Sequence, residues 1–233
     1  MPGDNVEEAC ARLMKGEFVF VFDADEREGE TDFIALANRV IPAHIQQMRL
    51  NGGGLIFLMV HHDIAERFRL PFLTDLYGAA RGRFPVLDAL VPNDIPYDTR
   101  SSFSLTINHR RTFTGITDKD RALTIRRLGE LANELSKSDG DWLHALGAEF
   151  RSPGHVPVCR SSPQPLEDRV GHTELAVALA LMTSETPVLV GCEMMGQDHN
   201  ALSKAEAKLY AQRQGSVFLE GMEIKEAWDK WSG

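Results

Sequence analysis

The chain has 233 residues, 43% of them hydrophobic, which is enough apolar material for a real core and excludes a disordered polymer. Its net charge of -9 sets the average field against phosphate backbones and anionic lipid, so nonspecific binding to nucleic acid or membrane is excluded. Any phosphorylated ligand must then be met by a local basic pocket. Cys10, Cys159 and Cys192 are far apart and outside any CxxC pair, which argues against a disulfide framework or a cysteine zinc site. With no signal-type leader and no apolar run of about 20 residues, the expectation is a cytoplasmic, soluble protein with reduced thiols.

In chain order, "DNVEEACARLMKG" places Val6, Ala9, Cys10, Leu13 and Met14 on one helical face, with Asp4 or Asn5 as cap and Gly16 as terminator. A strand, "EFVFVFD", leads into the acidic stretch "DADEREGETD", read as a loop before "DFIALANRV". Pro42 opens a short helix that stops at "NGGG", and "GLIFLMV" reads as a buried strand. A helix is expected at "DIAERFRL", while residues 70–100 carry no assignable pattern. "SSFSLTINH" alternates like a strand, and Asp118 is expected to cap the long helix "KDRALTIRRLGELANEL". A further helix, "WLHALGAEF", is expected to end before "RSPG".

The remainder alternates strand "HVPVCR", helix "HTELAVALALMTS", strand "PVLVGCEM", helix "SKAEAKLYAQRQ", strand "SVFLE" and a final helix, with Ser203 and Glu206 as a capping box. No repeat or linker divides the chain. The expected fold is one α/β domain of mixed α+β character, spanning residues 1–233, with a multi-stranded mixed sheet flanked by helices.

The acidic stretch crowds six carboxylates, Asp23, Asp25, Glu26, Glu28, Glu30 and Asp32, into ten positions around a single Arg27. An EF-hand is excluded by spacing. With Asp23 at position one, Glu28 stands where the turn glycine belongs and Ile34 where the bidentate glutamate belongs. Two readings stay open: a solvated acidic loop, or a carboxylate cluster carried on a loop at a strand end.

"RVGHTEL" begins a helix, where free N–H groups and the dipole suit an anion, so Arg169, Gly171 and Thr173 form a candidate phosphate cradle beside His172. The alternative is ordinary helix capping with Arg169 on the surface. "FTGITDKDR" offers a second such turn, with Thr114 and Arg121, against the plain reading of a capped helix start. Glu193 ends an apolar strand, and His155 follows a turn; each is either a reactive group or a polar side chain leaving the sheet. Together these residues supply acids, an imidazole and an anion pocket, the inventory for metal-assisted chemistry on a phosphorylated small molecule.

"DADEREGETD", "SSFSLTINHRRTFTGITDKDRALTI", "RSPGHV", "RVGHTEL" and "CEMMG", in that order, resemble the 3,4-dihydroxy-2-butanone 4-phosphate synthases of riboflavin biosynthesis, over residues 5–225. The likeness is to archaeal, single-function members, so the family's own fold is implied and a GTP cyclohydrolase II domain is not expected. It implies conversion of D-ribulose 5-phosphate to L-3,4-dihydroxy-2-butanone 4-phosphate and formate with Mg²⁺ or Mn²⁺, one ion or two.

Carried over by position, Glu28 and His172 resemble the metal ligands, and Arg27, Glu28, Glu30 and Asp32 lie in a substrate loop with Asp32 on sugar hydroxyls. Arg169, Val170, Gly171, His172 and Thr173 match the substrate-binding segment, with Thr114 and Arg121 near the phosphate. Glu193 and His155 match the family's essential positions, and Glu30 and Asp32 are further proton-transfer candidates. Phe57 stands where many members have a cysteine, so the chemistry here needs no thiol at that point. The resemblance also implies a homodimer with sites near the interface, and a flexible loop that closes through Gly29. Two rival readings use the same inventory: a metal-dependent sugar-phosphate aldolase or isomerase, and a non-catalytic sugar-phosphate-binding protein.

Overall fold

Strands of alternating large apolar side chains can form one sheet only if both faces are covered, and two groups of helices do this. The computed structural model describes residues 2–98 and 100–232. Its strands are β1 (Val19–Phe22), β2 (Thr31–Leu36), β3 (Phe57–Val60), β4 (Phe103–His109), β5 (Phe150–Arg160), β6 (Val188–Glu193) and β7 (Phe218–Glu220). They join in the order β4-β5-β3-β6-β2-β1-β7. β1/β7 and β3/β5 are parallel and the other pairs antiparallel, giving a mixed sheet. The helices are α1 (Pro2–Lys15), α2 (Pro42–Asn51), α3 (His62–Arg67), α4 (Leu73–Ala80), α5 (Val86–Ala89), α6 (Asp118–Ser136), α7 (Trp142–Glu149), α8 (His172–Met182), α9 (Lys204–Arg213) and α10 (Gly221–Ser232).

The period of two divides each central strand between two cores. Phe20, Phe33, Ala35, Leu58, Val158 and Val190 pack with α2 and α6 on one face. Val21, Ile34, Leu36, Phe57, Met59, Cys159 and Leu189 pack with α1, α8 and α10 on the other. Helix α8 is apolar all round, and every residue from Leu175 to Ala180 is fully buried, as a helix without a polar face requires. Truncating a large buried side chain such as Phe33 to alanine would cost about 3–5 kcal/mol.

Four local expectations need correction. Asp118 is not the cap of α6: Thr117 is, its hydroxyl accepting from the Asp120 N–H, while Asp118 pairs with Arg49 at 2.9 Å. Helix α1 begins at Pro2, so Asp4 and Asn5 lie inside its first turns rather than capping it. "RSPG" is not a turn before a strand. β5 already starts at Phe150, and its ladder with β4 slips between Ile107↔Val156 and Asn108↔Arg151. Residues 152–155 form the resulting bulge, which accommodates a proline that cannot donate to the ladder. Finally, the acidic loop between β1 and β2 is clasped, not loose, for reasons that concern the site.

The three cysteines are all free thiols. Among the described residues, no helix is long and apolar enough to cross a membrane.

Candidate active site

The site forms where three elements end together. Asp32 is the second residue of β2 and lies directly across the ladder from Glu193 at the end of β6. Counting by twos from Ile34 and Leu189 puts both side chains on the α8 face of the sheet. The N-terminus of α8 delivers His172 to the same point, with Nε2 3.7 Å from an Asp32 oxygen and Nδ1 3.4 Å from Glu28. His172 Nε2 also lies 3.1 Å from the Glu30 carbonyl oxygen.

Asp23 explains why the acidic loop holds this shape. Its carboxylate accepts from the backbone N–H groups of Glu28 and Glu30 and from the Arg27 guanidinium, each at 3.1 Å. Gly29 takes a left-handed φ of 67° between those two donors, with open space where a Cβ would be. Asp25 turns outward to Lys204 at 2.8 Å, and Glu26 is exposed. The six carboxylates thus divide into a clasp, two solvent-facing groups, and three that serve the site.

Electrostatics sharpen this division. Burial pulls the His172 imidazole down, but Asp32 first, then Glu28 and Asp23, push its pKa up to about 10. Burial would raise Glu28, yet the hydrogen bond and charge of His172, with Arg27 and Arg169 beyond, hold it below the usual range. Asp32 is pushed well up by burial, and Glu193 and Glu28 add to the effect. Burial also raises Glu30 and Glu193, with neighbouring carboxylates reinforcing it. Asp32 is fully buried, and among the described residues neither of its oxygens has a hydrogen-bond partner. Such an orphaned carboxylate is costly unless a ligand satisfies it.

A cavity of about 170 Å³ opens at this point, lined by Glu28, Asp32, Glu193, His172, Arg169 and Thr173, with Phe57 and Cys159 on the sheet side. Burial pushes the Cys159 thiol far up, so it stays protonated and unreactive. Ligand atoms of Asp23, Glu28 and His172 lie within 4.8 Å of one another. Hard oxygen donors with one imidazole fit a divalent cation such as Mg²⁺ or Mn²⁺. Because the Asp23 oxygens already accept three hydrogen bonds, the Glu28 carboxylate and the His172 Nδ1 that faces it are the atoms that would hold such an ion.

Arg169 is not a free surface charge. Its guanidinium bonds the carboxylates of Asp98 and Glu174, and Glu174 also accepts from the Gly171 N–H, closing the helix terminus. Val170 packs against the α8-side core. Three other sequence candidates lie elsewhere. Arg121 is buried on the opposite, α6 face of the sheet, 3.6 Å from Asp118. Thr114 and His155 meet through Asn108, whose side-chain amide bonds the Thr114 carbonyl at 3.4 Å and the His155 ring at 3.1 Å. Neither lines the cavity, and His155 stands four residues, about 13 Å along β5, from the cavity residue Cys159.

The family model of the 3,4-dihydroxy-2-butanone 4-phosphate synthases matches residues 7–227. The chain belongs to this family. A synthase of Methanothermobacter thermautotrophicus is 46% identical over 96% of this chain and 95% of that one. The cation-free crystal structure of a synthase superposes with a TM-score of 0.76 at 22% identity, covering 98% of both chains. A synthase structure in complex with two magnesium ions gives 0.73 at 23% identity, covering 94% of each. These superpositions show that the seven-stranded mixed sheet is the synthase fold.

Seen as a synthase, the chain contains site residues that sequence reasoning passed over. Ile95, Tyr97, Asp98 and Arg100 line the cavity from the segment where no pattern was legible, and Ser101 to Phe103 do so from the start of the stretch read as a strand. The available signal was the segment's length together with "NDIPYDTRSS", since long structureless loops in folded domains usually carry function. Asn108 and Glu174 were missed because each acts by holding another side chain, which no spacing rule reveals.

Proposed function

We propose that this synthase-family chain converts D-ribulose 5-phosphate to L-3,4-dihydroxy-2-butanone 4-phosphate and formate in riboflavin biosynthesis, with Mg²⁺ or Mn²⁺ held by Glu28 and His172. The observation that carries the proposal is the Asp32 carboxylate, buried and unpartnered across one rung from Glu193. It is an acceptor waiting for sugar hydroxyls. The substrate's five carbons and eight oxygens divide between the two products, so no oxidant or reductant is needed.

A bound divalent cation would supply Lewis acidity at the sugar's carbonyl and hydroxyl oxygens. The chain's residues supply the rest. Glu193 and Glu30, both with raised pKa values, suit proton abstraction beside the carbonyl, because a base works best near ambient pH. Asp32 orients hydroxyl groups, and the Arg169–Thr173 segment receives the phosphate at the start of α8. The clasped loop keeps water from the enediol that enolisation forms.

The chain acts as a homodimer in this reading, and a second copy brings Thr114 and His155 to the cavity. Support comes from the loop bearing Thr114, where Phe113 is 95% exposed and Ile116 50% exposed, an apolar tip that asks for cover. Leu55, Phe103 and Met195, near the cavity mouth, are also exposed.

The decisive assay is formate release from ribulose 5-phosphate with Mg²⁺. Formate in step with substrate loss supports the synthase reading. An isomeric pentose phosphate alone would favour an aldolase or isomerase, and binding without turnover a non-catalytic protein. The shared site has its own test: Glu193→Gln and His155→Ala should each be inactive, yet their equal mixture should regain about a quarter of wild-type activity through heterodimers. A mixture as inactive as its components would place the whole site in one subunit.

A further inference from the structure

Segment 71–102 has few ties to the body of the protein. Its helices α4 and α5 bury no residue. One tie is Asp98, whose side chain is only 9% exposed and accepts from two arginines of the site. Arg27, from the acidic loop, approaches one oxygen at 3.4 Å, and the Nε of Arg169, before α8, bonds the same oxygen. Among the described residues, the second oxygen accepts only the Arg100 N–H, at 3.3 Å.

An arriving phosphate meets a crowded charge pattern. Glu28, Asp32, Asp98 and Glu193 all line the cavity, and its best-placed guanidinium, Arg169, has a carboxylate on each side. One of those must yield before a dianion can bind Arg169. Glu174 is ill suited to move, being fully buried and also holding the Ser162 and Gly171 N–H groups. Asp98 sits on the segment with little core to anchor it.

We propose that Asp98 is an internal stand-in for the substrate's phosphate. In the free protein it occupies the Arg27–Arg169 pair and holds both side chains in place. A phosphate ester displaces it, and Ile95, Tyr97 and Asp98 leave their position against the site as it binds. Asp98 is therefore a positioning residue and an autoinhibitory contact, and it makes phosphate binding the event that moves the segment. The proposal rests on the phosphate-ester reading of the site but not on which reaction follows.

The test uses inorganic phosphate and ribulose 5-phosphate as probes. Asp98→Asn should bind inorganic phosphate about tenfold more tightly and lower KM for the sugar phosphate, whereas Asp98→Glu, which keeps the competing charge, should stay near wild type. In the wild-type protein, which needs no substitution to fold, saturating phosphate should speed amide exchange at Tyr97, Asp98, Arg100 and Ser101 several-fold. Equal or weaker phosphate binding by Asp98→Asn overturns the proposal, as does unchanged or slower exchange at Tyr97, Asp98, Arg100 and Ser101 in phosphate. Formate release without the affinity shift removes only this inference. The affinity shift without formate release removes only the synthase reading.

Discussion

Asp23 and Asp32 close the two ends of one hairpin loop and are 3% and 0% exposed, yet they are opposite in character. Asp23 has its acceptor capacity filled by two backbone N–H groups and a guanidinium. Asp32 has none filled, and its nearest cationic neighbour is the His172 ring at 3.7 Å. Burial by itself therefore does not mark a working carboxylate. What marks it is acceptor capacity that the fold leaves unspent, because a buried acceptor without partners costs stability that only a ligand recovers.

This contrast is most exposed to failure at Asp32. Asp32→Asn should lower formate release by more than about a thousandfold while leaving the melting temperature close to wild type, since a buried carboxylate without hydrogen-bond partners gives way to a neutral amide of the same shape, which offsets the lost attraction to His172. Chelating the metal should abolish turnover reversibly, and Mg²⁺ should restore it. An active Asp32→Asn protein, or one that melts several degrees lower, would erase the distinction.

Asp23→Ala should show the reverse balance. It leaves the Glu28 and Glu30 N–H groups without their acceptor and should destabilise the fold by about 2–3 kcal/mol in urea titration. Turnover should fall as well, through loss of loop geometry. A fully stable Asp23→Ala protein would show that the loop keeps its shape by other means.

Glu149 extends the comparison to a saturated carboxylate that is only part buried. Arg127 donates to it at 2.8 and 3.0 Å, and His109 lies 3.4 Å away. The Arg127 bonds hold its pKa below the ordinary 4.5. A lowered carboxylate stabilises the fold above its unfolded value and loses that contribution as pH falls through the folded value. Glu149→Gln should thus cost about 1 kcal/mol or less at pH 7, with solvent screening keeping it small, and the difference should start to shrink near pH 4.5 and vanish only once pH is below the lowered folded value. A gap that persists in acid would mean that packing, not charge, is what Glu149 provides.

Much of the fold was legible because the central strands repeat with period two and α8 is apolar on every side, patterns that are local in sequence. That Glu28, His172 and Glu193 belong together at one cavity was legible through motifs. The cap of α6 was misread as Asp118 because Thr117 and Asp118 are both good capping residues, and Arg49, far away in sequence, claims the aspartate. His155 was misplaced by a single turn signal: "RSPG" reads as a break, but the β4 ladder carries the strand through it as a bulge. Asp98 was invisible for a deeper reason. Its role exists only where residues 27, 98 and 169 converge, and nothing local to residues 70–100 encodes that meeting.

The exposed segment that carries Asp98 has a last consequence, for how such a protein can change over generations. Leu76, Phe84, Val86 and Leu90 are 44% to 70% exposed, so the sheet does not depend on their identity. Halving a loop of this kind alters its closure entropy by only about 0.6 kcal/mol. Insertions, deletions and wholesale rewriting can therefore accumulate in α4, α5 and the turns around them at almost no cost to folding, provided the few residues that reach the pocket still arrive there.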